Sequence, residues 1–163
     1  MSINACSGDT TTWDQEVKLL DGRKIVVTQK RLLQGLLTRD AWLTINLPQI
    51  SQEPIVWHES LYPMVVNIFN GSLYVVAMPS TVRERHRYGD PSPPNIGFRW
   101  VASGWQRIPF NEIPEAIYDA NMLVSELPPK LPKLLTLDEK NSTKMNQDPD
   151  LPEFDKHISP KLN

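Results

Sequence analysis

Hydrophobic and polar residues alternate along the middle of the chain, and this pattern is typical of β-strands with one buried face. The clearest case is residues 64–77, where two alternating segments flank Asn70-Gly71. An Asn-Gly pair supplies the two positive φ angles of a type I′ turn, which would pair Phe69 with Ser72. Turn chemistry and alternation therefore predict the same hairpin. Its apolar face would consist of Met64, Val66, Ile68, Leu73, Val75 and Ala77.

A second hairpin is predicted around Asp21-Gly22, where the turn signal and the burial pattern disagree. A two-residue turn would put Glu16 and Lys18 on the buried face. Burying two charges costs more than a less regular turn, so we expect a three-residue loop over residues 21–23. That loop gives an apolar face made of Val17, Leu19, Ile25 and Val27.

The alternation continues in a third hairpin over residues 96–108, with Ser103-Gly104 as its turn. This register would place Trp100 opposite Arg107, where the guanidinium could serve only as a packing and cation–π partner. It would also place Trp105 opposite Ala102. Single strands are predicted at residues 41–47 and 55–59, and short helical segments at 113–120 and, after a Thr136/Glu139 capping box, at 136–144.

About eight strands joined by hairpins, with little helix, predict a mainly β fold. The arrangement would be an antiparallel sandwich or a partly open small barrel, followed by a Pro-rich C-terminal tail. Composition divides the chain into a flexible leader (1–12), a β-rich domain (13–125) that holds all five Trp, and a largely irregular tail (126–163) with room for the helix at 136–144.

Composition excludes several classes of protein. Lys plus Arg is 17 and Asp plus Glu is 19, so the net charge of −2 gives no overall attraction to nucleic acid or to a membrane surface. One cysteine cannot form an intramolecular disulfide. Adjacent strand residues point to opposite faces, so His58 and Glu59 should not converge. Without a nucleophile-elbow, phosphate-loop or zinc-protease motif, we predict no enzymatic activity, no metal and no cofactor.

Three segments of the chain, residues 13–27, 70–79 and 88–114, resemble an uncharacterised family of small β-rich bacterial proteins. The shared features are a strand that begins with tryptophan, a Leu-Asp-Gly-Arg-Lys hairpin and a Tyr-, Gly- and Pro-rich loop. The resemblance implies a protein that is often exported or lipoprotein-like, and it implies no particular activity.

The sequence Ile3-Asn4-Ala5-Cys6 has the form of the end of a bacterial lipoprotein signal, with Cys6 as the acylated residue. It predicts a location in the periplasm or cell envelope, with membrane attachment only through a lipid on Cys6. Only Met1 and Ser2 precede the motif, so the alternatives are a truncated sequence, a misassigned start, or a chance match in a cytoplasmic protein.

The strongest local charge feature is the segment that contains Arg83, Arg85, His86, Arg87 and Tyr88. Arginine binds phosphate or carboxylate through two parallel hydrogen bonds, and tyrosine can stack on a ligand. The alternative interpretation is a solvated loop between strands.

The next segment contains Pro93 and Pro94 in a stiff loop that could present a preorganised surface. Arg99 and Arg107, on the following hairpin, could extend the basic patch. We therefore predict a non-enzymatic interaction module that binds an unidentified protein partner at the cell envelope. Immunity and exclusion proteins of mobile elements fall in this class. The alternative is a cytosolic domain that binds anions or nucleic acid through residues 83–87, although the acidic net charge disfavours nucleic acid.

Overall fold

The computed structural model describes residues 8–35, 37–123 and 130–141, and in them nine strands form two open sheets. Sheet A has the strand order β4-β3-β2-β1-β9, and sheet B has the order β5-β6-β7-β8. The predicted mainly β fold is confirmed. The strands are β1 (Asp9–Lys18), β2 (Lys24–Gln34), β3 (Leu37–Ile45), β4 (Ile55–Glu59), β5 (Tyr62–Phe69), β6 (Ser72–Met78), β7 (Ile96–Val101), β8 (Gly104–Ile108) and β9 (Leu134–Leu135).

The two sheets pack face to face around one apolar core, because alternate residues of each strand point inward. Trp57 of sheet A meets Phe98 of sheet B edge to face, with ring centroids 5.5 Å apart. The main core includes, from sheet A, Val17, Val27, Leu43, Ile45 and Trp57 and, from sheet B, Val66, Leu73, Val75 and Phe98.

The hairpin of β5 and β6 has the predicted register, with Phe69 opposite Ser72. Asn70 and Gly71 take positive φ angles of 48° and 76°. A bulge between Pro63 and Val65 interrupts the alternation. Met64 therefore packs in a second cluster, away from the core face to which the pattern assigned it.

The hairpin of β1 and β2 buries the predicted apolar face, with Val17 opposite Ile25. Its loop covers residues 20–22, and Gly22 supplies a positive φ of 89°. The predicted loop at 21–23 was thus placed one residue too far toward the C-terminus, although the predicted buried face was correct. Burial fixed the face, and the glycine fixed the position of the loop.

The predicted register of the third hairpin is wrong. The turn is Ala102-Ser103, so Trp100 lies opposite Trp105 rather than Arg107. The two indole rings meet edge to face at 5.3 Å, a favourable aromatic geometry that the predicted register would lose. Ala102 takes a positive φ of 56° to make this turn.

The outer face of sheet B is covered by two short 3-10 turns, Phe110–Glu112 and Glu115–Ile117. Of the short helical segment predicted within 113–120, one 3-10 turn forms at Glu115–Ile117, and Ile113 stays extended because a residue before proline prefers extended backbone. The second cluster lies beneath these turns and contains Met64, Val65, Tyr74, Val76, Ile108, Ile113, Ile117 and Tyr118.

Both ends of the described chain add to sheet A. β1 begins at Asp9, and residues 9–12 pair with residues 30–33, so the predicted leader at 1–12 is too long by these strand residues. Polar β-branched threonines, which the composition assigned to a leader, form good edge-strand backbone pairs.

Residues 130–141, which we call the strap, also pack on sheet A. Strand β9 pairs in parallel with β1, and helix α2 (Leu137–Asn141) follows, the other helix being α1 (Val82–Arg87) between β6 and β7. Thr136 and Glu139 make the two reciprocal backbone-to-side-chain bonds of a capping box, at 2.8 and 3.2 Å. This part of the predicted irregular tail is therefore regular structure, whereas Cys6 and residues 124–129 and 142–163 lie outside the described residues.

Candidate functional site

The basic segment forms a short helix, α1 (Val82–Arg87), rather than the loop between strands that we considered. Thr81 caps its first turn. The hydroxyl of Thr81 accepts a bond from the Glu84 backbone N at 3.4 Å and also donates to the Glu84 carboxylate. The Thr-x-x-Glu spacing of a capping box was present in the sequence and could have predicted this helix.

Glu84 fixes the inner side of α1. Its side chain is buried, and Arg39 donates to it at 2.9 Å. Arg39 is the extra residue of a bulge in β3, since Thr38 and Asp40 pair with consecutive residues of β2. The bulge allows Arg39 to reach the helix, which the regular strand pattern does not predict.

Tyr88 fixes the C-terminal end of α1. Its hydroxyl donates to Glu59 Oε2 at 2.7 Å and accepts from the backbone N of Ser60 at 3.0 Å. Burial, together with the hydrogen bond to Glu59 and its negative charge, raises the pKa of Tyr88 to about 12. Tyr88 thus serves as an anchor between α1 and the β4 edge.

Arg107 covers Tyr88 from the side of sheet B. Its Nη2 donates to the carbonyl oxygen of Tyr88 at 2.5 Å, and the guanidinium lies 5.1 Å from the centroid of the ring. Arg107 lies opposite Phe98, so it projects from the core-side face of the sheet at the β8 edge. One face of the Tyr88 ring is therefore occupied, which disfavours the stacking role suggested by the sequence.

The outer side of α1 is exposed to solvent. Val82 is 68% exposed, and Arg83 and Arg85 are exposed beside it. His86 Nδ1 lies 2.6 Å from Asp90 Oδ1. We call the exposed helix residues the α1 surface, which comprises Val82, Arg83, Arg85, His86 and Arg87.

The structure brings together most of the predicted site residues, but not Arg99. Arg99 lies on the outer face of sheet B, where its Nη2 donates to Ser72 Oγ at 3.3 Å. Neighbouring positions on opposing strands alternate between faces, so Arg99 and Arg107 point away from each other. The prediction that Arg99 extends the patch is wrong.

The proline loop continues directly from α1. The backbone N of Asp90 donates to the carbonyl of Arg85 at 3.0 Å, which ties the start of the loop to the helix. Pro93 and Pro94 are half-buried, and the bond between Ser92 and Pro93 is cis. The loop leads into β7 and lies next to the α1 surface in the chain.

Charge around α1 is nearly balanced. The arginines are Arg39, Arg83, Arg85, Arg87 and Arg107, and the carboxylates are Asp40, Glu59, Glu84 and Asp90. This surplus of one positive charge gives only a weak field. Within the described ranges, no group of three or more His, Cys, Asp or Glu side chains could hold a metal, and no helix is long and apolar enough to cross a membrane.

A polar group beside α1 was missed by the sequence analysis. His58 Nε2 lies 3.2 Å from Asp40 Oδ1, and Ser60 Oγ donates to the same oxygen at 3.1 Å. His58 also stacks on Trp42, with ring centroids 4.3 Å apart. Because Ser60 and His58 both contact Asp40, this arrangement is not the nucleophile–base–orienter order of a hydrolase.

Glu59 and His58 do not converge, as predicted, since Glu59 accepts from Tyr88. No sequence signal joins positions 40, 58 and 60, which meet only through strand pairing.

Comparison with known proteins gave no match to a family model, to a curated protein or to a solved structure. The resemblance to small bacterial proteins therefore stays a prediction.

Proposed function

We propose that the chain is a non-enzymatic interaction module that binds a protein partner through the α1 surface. The observation that carries this proposal is the contrast between the two sides of α1. Its inner side is fixed by the Glu84–Arg39 pair and by Tyr88, while Val82, Arg83 and Arg85 face solvent. A surface that is already ordered loses little conformational entropy when it binds.

The composition of the α1 surface favours a protein partner with an acidic, partly apolar face. An exposed aliphatic side chain flanked by arginines resembles the centre of a protein interface, where arginine is enriched. Nucleic acid is less well matched, because the local surplus is one positive charge and Arg107 covers one face of the Tyr88 ring.

Site-specific photo-crosslinking in the native cells tests this proposal. We expect a probe at position 83 to give one adduct of defined mass, and a probe at Val26 to give none. Val26 is a suitable control because it is 47% exposed on the distant outer face of sheet A. Adducts of equal yield from both positions would contradict a specific interface at α1.

Matched triple variants identify the residues that bind. The variant Val82→Ser/Arg83→Ala/Arg85→Ala should reduce affinity for the crosslinked protein about tenfold or more. The control Val26→Ser/Lys18→Ala/Lys30→Ala removes the same residue classes elsewhere and should leave affinity unchanged. The free energy of unfolding of each variant, measured in urea, should lie within about 1 kcal/mol of the parent value, because these side chains are exposed.

The alternative function, anion or nucleic-acid binding through residues 83–87, is tested by titrating a single-stranded oligonucleotide at low salt. We expect no saturable binding. A steep salt dependence that is lost in Arg83→Ala/Arg85→Ala/Arg87→Ala would instead support the alternative.

From the sequence, we also propose that the chain belongs to the family of small exported bacterial proteins and is attached to the cell envelope by a lipid on Cys6. Mass spectrometry of the protein from its native cells tests this. Acylated Cys6 as the first residue would support the proposal, and a chain that retains Met1 would contradict it.

A further inference from the structure

The interior of the sandwich holds a buried arginine that the proposed function does not use. Arg31 of β2 is 2% exposed. Its guanidinium lies 4.2 Å from the ring centroid of Tyr62 and 5.2 Å from that of Trp13. None of the ion pairs among the described residues includes Arg31. A buried charge without an opposite charge is unfavourable, so this arrangement requires an explanation.

The hydrogen bonds around Arg31 contain more donors than acceptors. Leu123 N donates to Gln15 Oε1 at 3.1 Å, and Gln15 Nε2 donates to Gln29 Oε1 at 2.7 Å. The amide nitrogen of Gln29 then faces the donors of Arg31. If the Gln29 amide is turned over, its oxygen accepts from Arg31 Nε at 2.8 Å, but its nitrogen faces Gln15 Nε2.

If the Gln15 amide is also turned over, its oxygen accepts from Gln29, but its nitrogen then faces the backbone N–H of Leu123, so two donors again face each other. A backbone N–H stands at one end of this row and a guanidinium at the other, and the two amides between them supply only two acceptor oxygens. In every arrangement one donor therefore faces another donor. The row lacks one acceptor.

A separate unsatisfied donor belongs to a ring beside Arg31. Among the described residues, the indole Nε1 atoms of Trp13, Trp57 and Trp100 are buried without a hydrogen-bond partner, and the Trp13 ring lies 5.2 Å from the Arg31 guanidinium. The Trp13 ring lies beside the Arg31 guanidinium and packs in one cluster with Leu123 and Leu135. Buried N–H groups without partners are rare in proteins, and one beside an unpaired cation indicates a place where an acceptor binds.

We propose that Arg31, Gln29 and Trp13 form an interior site for a small monocarboxylate, a site that goes beyond the protein-binding function proposed above. A single negative charge balances the single guanidinium, whereas a phosphate dianion would leave a buried excess charge. The two oxygens of a carboxylate match the two parallel N–H bonds of a guanidinium edge. The apolar walls from Trp13, Tyr62 and Leu123 suit a short hydrocarbon substituent.

The strap controls access to this site. Leu131 and Leu135 of the strap pack in one cluster with Trp13, so movement of the strap would uncover the Trp13 side of the site. Strand β9 is held to β1 by two paired positions and by the Asp14 N to Lys133 O bond of 3.1 Å. The rest of the strap is held by Leu137 N, which donates to Glu16 at 3.1 Å, and by Lys140 Nζ, which donates to the carbonyl of Asn121 at 2.7 Å. Local opening therefore breaks these few bonds and leaves the pairing of the other strands intact.

The test is a titration of the full-length, ¹⁵N-labelled protein with sodium acetate at constant ionic strength, observed at the indole N–H resonances. We expect a saturable shift of the Trp13 resonance, assigned through Trp13→Phe. The Trp42 resonance, from the outer face of sheet A, should not move. Sodium chloride and sodium phosphate at equal ionic strength should give no saturable shift. A linear response common to all three salts, or no response, would overturn the proposal.

Variants separate the role of Arg31 from general salt effects. Arg31→Lys keeps the charge but loses the paired N–H geometry, and should weaken acetate binding about tenfold. Arg31→Met should abolish it, while Arg99→Met, on the outer face of sheet B, should leave it unchanged. If Arg31→Met does not fold, the titration of the parent protein still decides.

A final arm identifies the source of the carboxylate. Glu126 follows Leu123 closely in the chain and lies outside the described residues. Acetate binding by the parent protein supports a free ligand. Acetate binding by Glu126→Gln alone, and not by the parent, would assign the carboxylate to the chain itself and overturn the proposal.

Discussion

The arginines of this protein occupy two contrasting environments. Beside α1, Arg39 pairs with the Glu84 carboxylate at 2.9 Å, and Arg83 and Arg85 extend into solvent. Inside the sandwich, Arg31 lies beside two aromatic rings and adjoins the neutral amide of Gln29. The first group positions a surface element, and the second keeps a charge away from water. The comparison shows that residue type alone does not indicate a role, because the groups around an arginine decide what its charge can do.

The largest expected effect concerns the cover of the interior site. Leu135→Ala should lower the free energy of unfolding by about 2–5 kcal/mol, because Leu135 is fully buried against Trp13 and leaves a cavity. Its neighbour Leu134 is 40% exposed, so Leu134→Ala should change stability by less than about 0.5 kcal/mol. Urea unfolding measures both. If both variants changed the free energy of unfolding by the same small amount, the strap would not contribute to the core.

A smaller effect is expected at the anchor of α1. Glu84→Gln keeps the shape but removes the charge that faces Arg39, and should cost about 1–3 kcal/mol. Glu115→Gln, at an exposed position, is the matched control. Amide exchange should accelerate at Arg85 and Tyr88, whose backbone N–H groups bond within α1. Unchanged exchange at these positions would contradict the view that Glu84 holds the helix.

The smallest effect is a change in titration. The pKa of Tyr88 is raised to about 12, so the folded state holds this proton more tightly than the unfolded chain does. The resulting stability is complete below pH 10 and is lost as the pH rises from about 10 through about 12. Ultraviolet titration should show a late-ionising tyrosine that disappears in Tyr88→Phe.

Glu59→Gln provides the control, because it removes the acceptor charge and should lower the pKa of Tyr88 toward 10. If Tyr88 ionised at its ordinary pKa in the parent protein, the anchor described here would be wrong. Arg83→Ala should leave this titration unchanged, since Arg83 lies on the exposed side of α1.

The two groups of arginines also differ in how far the sequence revealed them. Arg83, Arg85 and Arg87 are close together in the chain, and their cluster is visible in the sequence. Arg31 follows the alternation of β2 as an inward position, but the groups around it come from β1, β5 and residue 123. Such a site is assembled from distant segments and leaves no local pattern.

The hairpins show the same limit. In the hairpin of β5 and β6, the Asn70-Gly71 turn fixed the register, because both residues tolerate the required positive φ and the alternation of the strands predicted the same pairing. The hairpin at Ala102-Ser103 was misplaced by one residue, because the turn signal of Gly104 competed with the pairing of Trp100 and Trp105. A contact across strands decided that register.

By itself, the sequence determined the mainly β class, the strand pattern, the buried face of the hairpin of β1 and β2, and the existence of a basic segment. These features depend on local backbone preference and on alternation between neighbouring residues, which any stretch of chain displays. Only the tertiary structure decided that Glu84 and Tyr88 anchor the helix of the basic segment, that Arg99 lies apart from it, and that Arg31 is buried with no carboxylate paired to it among the described residues. These features depend on which strands pair and which faces pack, and such contacts join residues that are far apart in the chain.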